Sequence, residues 1–140
     1  MRHPTVFLGA LALTACAPVT AVAPLVPSGA ATCPIASSDW AAWINAMPGP
    51  NAHPTLIITG KVTVPTGGYR FEWRDMRVME SYPVQVAVDL EAIAPAGSAT
   101  QAVVTQDVRG QWPIAPPVGA VSISCGGRVL ARISPVETAQ

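Results

Sequence analysis

The chain has 140 residues, which is enough for one domain with accessory segments. Half of the residues are hydrophobic and 11% are charged, and the 15 prolines and 11 glycines favour short strands joined by turns. Eight Lys and Arg residues balance eight Asp and Glu residues, so the formal net charge is zero. Because no basic excess is present to neutralise phosphates, we expect no nucleic-acid partner.

The N-terminus has the features of a secretory signal. Arg2 precedes an apolar run over residues 6–15, which is a basic n-region followed by an h-region. A helix of this length covers about 15 Å, roughly half of the hydrocarbon core, so the run is too short to span a membrane. We expect residues 1–15 to be a signal peptide.

The residues Leu13-Thr14-Ala15-Cys16 end this run and resemble the lipobox of bacterial lipoprotein signal peptides. In that family the cysteine thiol receives a diacylglycerol, the signal is cleaved before the cysteine, and the new amino group is usually acylated, for example with palmitate. The resemblance implies that Cys16 is the lipid anchor, and Ala17 in place of Asp implies the outer membrane. The alternative is an ordinary secretory signal with a coincidental cysteine.

Residues 16–32 comprise Cys16 and a Pro/Ala-rich segment that we interpret as a tether. Residues 17–32 contain three prolines and no charge, with neither a helical stripe nor clean alternation. A partly polyproline II segment of this length reaches up to about 50 Å. A weakly ordered first strand is the alternative.

The chain contains three cysteines, Cys16, Cys33 and Cys125. If Cys16 is lipidated, Cys33 and Cys125 remain to pair, and export places them in an oxidising compartment. Such a bond would close nearly the whole domain, which we expect to cover residues 33–137. In the chain-entropy account it contributes about 4 to 5 kcal/mol. Two free thiols or a metal pair are the alternatives.

A short amphipathic helix is predicted after Cys33. Four large apolar residues follow helical spacing, namely Trp40, Trp43, Ile44 and Met47. Ser38 is a suitable N-cap, and Pro48-Gly49-Pro50 would end the helix.

From position 55 the hydrophobic period changes to two, which predicts strands. The predicted strands lie within 55–64, 69–80, 84–93, 101–110 and a hairpin over 120–133. Arg74 and Asp75 interrupt the alternation, which indicates a β-bulge, and Gly126-Gly127 forms the hairpin turn. We therefore predict a mainly β fold, a small antiparallel β-sandwich or open barrel of about six strands with one short N-terminal helix.

No catalytic constellation is evident. After removal of the signal, His53 is the single histidine and lies in a Pro-flanked loop. Asp89 and Glu91 share one strand face about 7 Å apart, which would suit two-carboxylate glycoside chemistry. Charged residues of the segment 69–80 favour cross-strand ion pairs instead. We expect no enzymatic activity, no metal and no cofactor.

Two features are candidate interaction sites. Trp112 opens a proline-rich run and could present an apolar side chain to a partner, or it could pack against the sheet edge. The turn Thr66-Gly67-Gly68-Tyr69 resembles the TTGY loop of chagasin-like cysteine protease inhibitors, which have immunoglobulin-like β-folds, although it has an additional glycine.

The sequence thus predicts a lipid-anchored cell-envelope protein with a non-catalytic β-domain that is a structural or interaction module. Its expected partners are the membrane, through the lipid on Cys16, and an envelope protein. The alternative function is protease inhibition of chagasin-like type, with the Gly67-Gly68 turn and the Trp112 loop in contact with the protease.

Overall fold

The computed structural model describes residues 31–115 and 117–140. The predicted signal peptide, Cys16 and most of the predicted tether therefore lie outside the described residues. The described part contains nine strands: β1 (Ala31–Thr32), β2 (Ala36–Asn45), β3 (Thr55–Val64), β4 (Arg70–Met79), β5 (Val84–Ile93), β6 (Val104–Pro113), β7 (Val118–Cys125), β8 (Arg128–Ile133) and β9 (Glu137–Ala139).

The strands form two sheets of mixed direction. In the five-stranded sheet, β5 pairs antiparallel with β4 and β1 and parallel with β7, and β8 follows antiparallel to β7. The four-stranded sheet has the order β6-β3-β2-β9, with β9 parallel to β2. The mainly β prediction is confirmed. The sheets are not purely antiparallel, however, and they do not close into a barrel over the described residues.

The core lies between the two sheets and follows the predicted alternation. Fully buried side chains on β3 are Leu56, Ile58, Val62 and Val64. On β5 they are Val86, Val88 and Leu90. One cluster of buried residues draws members from both sheets, so their inner faces pack against each other. Each such aliphatic side chain contributes about 1.5–3 kcal/mol on full burial.

The predicted helix after Ser38 is wrong, because these residues form β2, and no helix occurs in the described ranges. A bulge between Ser38 and Ala41 changes the strand phase, and Asp39 within it has a φ of 53°. Trp40 and Ile44 therefore reach the core through strand alternation and not through a helical stripe. The strand β2 pairs with β3 along most of its length and with β9 at residues 43–45, whereas a short isolated helix is only marginally stable in water.

Three tryptophans pack together beside this core. The ring of Trp73 contacts those of Trp40 and Trp112 edge-to-face, with centroid distances of 6.3 and 5.3 Å. Trp40 lies over Gly60 of β3, and Trp112 lies over Gly110 of β6. A Cβ built on either glycine would lie 2.2 Å from an indole carbon. Glycine at these two positions therefore makes room for the indole rings.

Candidate functional site

Cys33 and Cys125 form a disulfide, as predicted, with their Cα atoms 5.7 Å apart. Ala31 of β1 and Arg70 of β4 both pair with Ile93 of β5, so β1 and β4 occupy opposite edges of β5. The strand β1 therefore shares an edge of β5 with β7. Since Cys33 follows β1 and Cys125 ends β7, the disulfide joins the two strands where they meet end to end.

The first described residues are fastened to the sheet. Thr32 Oγ1 donates a hydrogen bond of 3.0 Å to the carbonyl oxygen of Ala92. Arg128 Nη2 donates one of 2.6 Å to the carbonyl oxygen of Pro34. The last two residues of the predicted tether thus form β1, and β9 extends to Ala139, past the predicted domain end at 137.

The outer side of the five-stranded sheet carries a network of ion pairs, here called the ionic face, formed by Glu72, Arg74, Arg77, Asp89 and Glu91. Arg77 Nη2 lies 2.9 Å from Asp89 Oδ2, and Arg74 pairs with Glu91 and lies 3.3 Å from Glu72. The hydrogen bond to Glu91 raises the pKa of Arg74. The predicted ion pairs of Asp89 and Glu91 with arginines of the neighbouring strand are therefore confirmed. Both arginine side chains are more than half exposed, so water screens these pairs and they add little to stability.

A cavity of about 250 Å³ lies between the disulfide and the ionic face. Its carboxylates are already engaged by arginines, and Asp89 also accepts a hydrogen bond from the Ser124 hydroxyl. Two-carboxylate glycoside chemistry needs carboxyl groups that face a substrate, whereas these two are bound by side chains of β4 and β7. The carboxylates beside this cavity are thus engaged in contacts that link β4, β5 and β7.

A second, open cleft of about 470 Å³ separates β4 from β6 and is lined by Tyr69, by residues 70–73 and by residues 106–109. Trp73 Nε1 donates a hydrogen bond of 2.9 Å to the carbonyl oxygen of Arg109 and so bridges the cleft. Among the described strands, β4 pairs only with β5, and β6 pairs only with β3. Both strands therefore present one unpaired backbone edge on this side of the molecule.

The structure separates the two candidate interaction features. Trp112 lies on β6 opposite Leu56 of β3, and its half-buried ring packs against the core. The Gly67-Gly68 turn follows the other end of β3, after Val64, and the Gly67 N–H donates to the carbonyl oxygen of Thr100. Leu56 and Val64 are about 27 Å apart along the strand at 3.4 Å per residue. A single small surface cannot contain both features.

The predicted loop position of His53 is confirmed, and its side chain is exposed. Its carbonyl oxygen accepts a hydrogen bond of 3.0 Å from Thr55 Oγ1. Residues 31–115 and 117–140 contain no group of three or more His, Cys, Asp or Glu side chains placed to hold a metal ion. They also contain no helix with the length and apolarity needed to cross a membrane.

One ion pair, between Lys61 and Asp39, was not predicted from the sequence. Lys61 Nζ on β3 lies 3.0 Å from Asp39 Oδ2 in the β2 bulge. The hydrogen bond to Asp39 raises the pKa of Lys61, with a further contribution from the charge of Asp107. These side chains meet because residues 36–45 form a strand beside β3. The predicted helix did not place Asp39 next to Lys61.

Comparison with known proteins gives no relative: no family model, no curated protein and no solved structure matches the chain. Its function is therefore inferred from its own residues and geometry.

Proposed function

We propose that this chain is a lipid-anchored lipoprotein of the cell envelope whose disulfide-closed β-domain is a non-catalytic structural or interaction module. The observation that carries the proposal is the bond between Cys33 and Cys125. It uses both cysteines of the domain and leaves Cys16, the cysteine of the lipobox-like sequence, without a disulfide partner in the same chain. A disulfide that persists also fits an exported domain, since the cytosol keeps thiols reduced.

The proposed anchor is physically sufficient. Each buried methylene of an acyl chain contributes about 0.8 kcal/mol, so one chain holds a protein marginally and two or three hold it firmly. The described domain begins at Ala31, which leaves residues 17–30 between it and the anchor. In a polyproline II conformation this segment would span about 43 Å, enough to hold the domain clear of the lipid headgroups.

Labelling with palmitate and membrane fractionation test the anchor. The wild-type chain should incorporate label and sediment with membranes, whereas Cys16→Ser should lose the label and appear in the soluble envelope fraction. The double variant Cys33→Ser/Cys125→Ser is the matched control, because it removes the other two cysteines and should keep the label. A Cys16→Ser chain that stays labelled and membrane-bound would refute the proposal. Density separation of the two membranes tests the outer-membrane location.

Protease inhibition of chagasin-like type remains the alternative function. It has less support, because the Gly67-Gly68 turn and Trp112 lie at opposite ends of the four-stranded sheet and cannot enter one active-site cleft together.

A further inference from the structure

The outer strand β4 has a symmetric order of side chains about its bulge. Its register with β5 places Trp73 opposite Leu90 and Met76 opposite Val88, which leaves Arg74 and Asp75 between them as the bulge. Four residues of β4 lie opposite buried positions of β5 and therefore face inward, namely Phe71, Trp73, Met76 and Val78. Residues opposite the solvent-facing positions are Arg70, Glu72, Arg77 and Met79. The order of inward and outward residues is therefore the same when β4 is followed in either direction from the bulge.

This symmetry has a consequence for two copies of β4 placed antiparallel about a two-fold axis between Arg74 and Asp75. Inward residues would then oppose inward residues, with Phe71 facing Val78 and Trp73 facing Met76 of the second copy. Charges would also match, because Glu72 would face Arg77 and Arg74 would face Asp75 of the second copy. Each of these opposite-charge pairs would occur twice, as a two-fold interface requires.

We propose that the domain forms a two-fold dimer through antiparallel pairing of β4 with β4 of a second copy, which joins two five-stranded sheets into one. The edge of β4 is available, since β4 pairs only with β5 among the described strands. Val78 and Met79 are 50% and 42% exposed near the end of this strand, and pairing would cover them. Main-chain hydrogen bonds supply the adhesion, and the cross-strand pairs fix the register.

The charges on either side of the bulge favour a second copy over an arbitrary strand as the partner of β4. Charges and bulges usually protect an outer strand from pairing. A regular strand follows both halves of β4, as β5 does, only by leaving Arg74 and Asp75 opposite a single residue. A second copy of β4 instead places Arg74 opposite Asp75 and Glu72 opposite Arg77, so these four charges find partners in one register. The inference does not depend on the anchor, although two copies in one membrane would meet at a higher effective concentration.

Charge exchange tests the dimer in the full chain, purified in a non-ionic detergent and analysed by sedimentation over a concentration series. The wild type should reach the mass of two chains. Glu72→Arg would face Arg77 twice, and Arg77→Glu would face Glu72 twice, so each variant alone should raise the dissociation constant roughly tenfold or more. An equimolar mixture of the two variants restores opposite charges at both positions and should return to wild-type affinity. Misfolding cannot account for such recovery, because each chain keeps its own substitution.

Crosslinking tests the register. At the two-fold axis, Asp75→Cys would lie about 6 Å, Cα to Cα, from the same position in the second copy, within the range of a disulfide. Met79→Cys is the matched control on the same exposed strand, and it would lie about 31 Å from its equivalent. Asp75→Cys should give a covalent dimer and Met79→Cys should not. A wild type that stays monomeric throughout, a mixture no tighter than the single variants, or equal crosslinking at both positions would each overturn the proposal. Lipidation is scored separately by mass, so failure of the dimer and failure of the anchor are distinguishable.

Discussion

Replacement of Gly60 by alanine tests the packing of the tryptophans on the four-stranded sheet. The new Cβ would lie 2.2, 2.5 and 2.6 Å from three carbons of the Trp40 ring. The ring cannot simply turn away, since Trp73 packs against it edge-to-face. Overpacking of this kind typically costs about 1–3 kcal/mol. For a domain of this size the cost corresponds to a fall in Tm of roughly 5 to 15 °C.

The sign of the effect separates packing from backbone propensity. In a strand without steric conflict, replacing glycine by alanine gains roughly 0.5–1 kcal/mol, because glycine loses more conformational freedom on folding. Propensity alone therefore predicts that Gly60→Ala raises Tm, whereas the contact with Trp40 predicts a decrease. Gly97→Ala is the matched control, because no atom lies within 4 Å of a Cβ built there. It should raise Tm by a few degrees, because only the backbone contribution, about 0.4–1 kcal/mol, remains there.

Thermal unfolding followed by circular dichroism is the assay, with Trp40→Leu as a second background. If the indole ring causes the strain, Gly60→Ala should cost less than half as much in the Trp40→Leu chain as in the wild type. A Gly60→Ala chain as stable as the wild type, or an equal cost in both backgrounds, would refute the reasoning.

Two further predictions concern the disulfide and the polar pair on β2 and β3. The double variant Cys33→Ser/Cys125→Ser should lose about 4–5 kcal/mol in urea unfolding, because the bond closes a loop between positions 92 apart; a loss under about 1 kcal/mol would contradict this. Asparagine tolerates the left-handed backbone at position 39, so Asp39→Asn removes the charge without a backbone penalty. This variant should lower the pKa of Lys61, measured by NMR. Asp107→Asn should lower that pKa less, because the hydrogen bond to Asp39 is the larger cause of its elevation. Equal decreases in the two variants would show that this assignment is wrong.

The strands that were predicted correctly from the sequence are those with a clear local pattern of alternating residues or turn glycines. Residues 55–64 and 84–93 alternate cleanly, and the structure assigns the same bounds to β3 and β5. Gly126 and Gly127 both have positive φ values at the turn of the predicted β7–β8 hairpin. The bulge at Arg74 and Asp75 was also visible as a break in the alternation. In each case a few neighbouring residues specify the conformation.

The features that could not be predicted depend on distant pairing. The apolar residues of 36–45 fit a helical stripe and, with a bulge, also fit a strand. The choice is made by pairing with β3, the next strand, and with β9 near the other end of the chain. Neither strand's own sequence contains a signal for the parallel pairing of β5 with β7. The predicted strand ended at residue 110 because the proline-rich run that Trp112 opens interrupts the alternation, whereas β6 continues to Pro113.

The position of the disulfide determines how the domain would respond to a pulling force on its N-terminal side. The strand β1 has only two residues and would separate from β5 under a small force. The force would then pass through the covalent bond between Cys33 and Cys125 to the last residue of β7, and from there along residues 126–140. Residues 34–124 would lie outside this path, so a force applied between the two ends of the domain would bypass most of its fold.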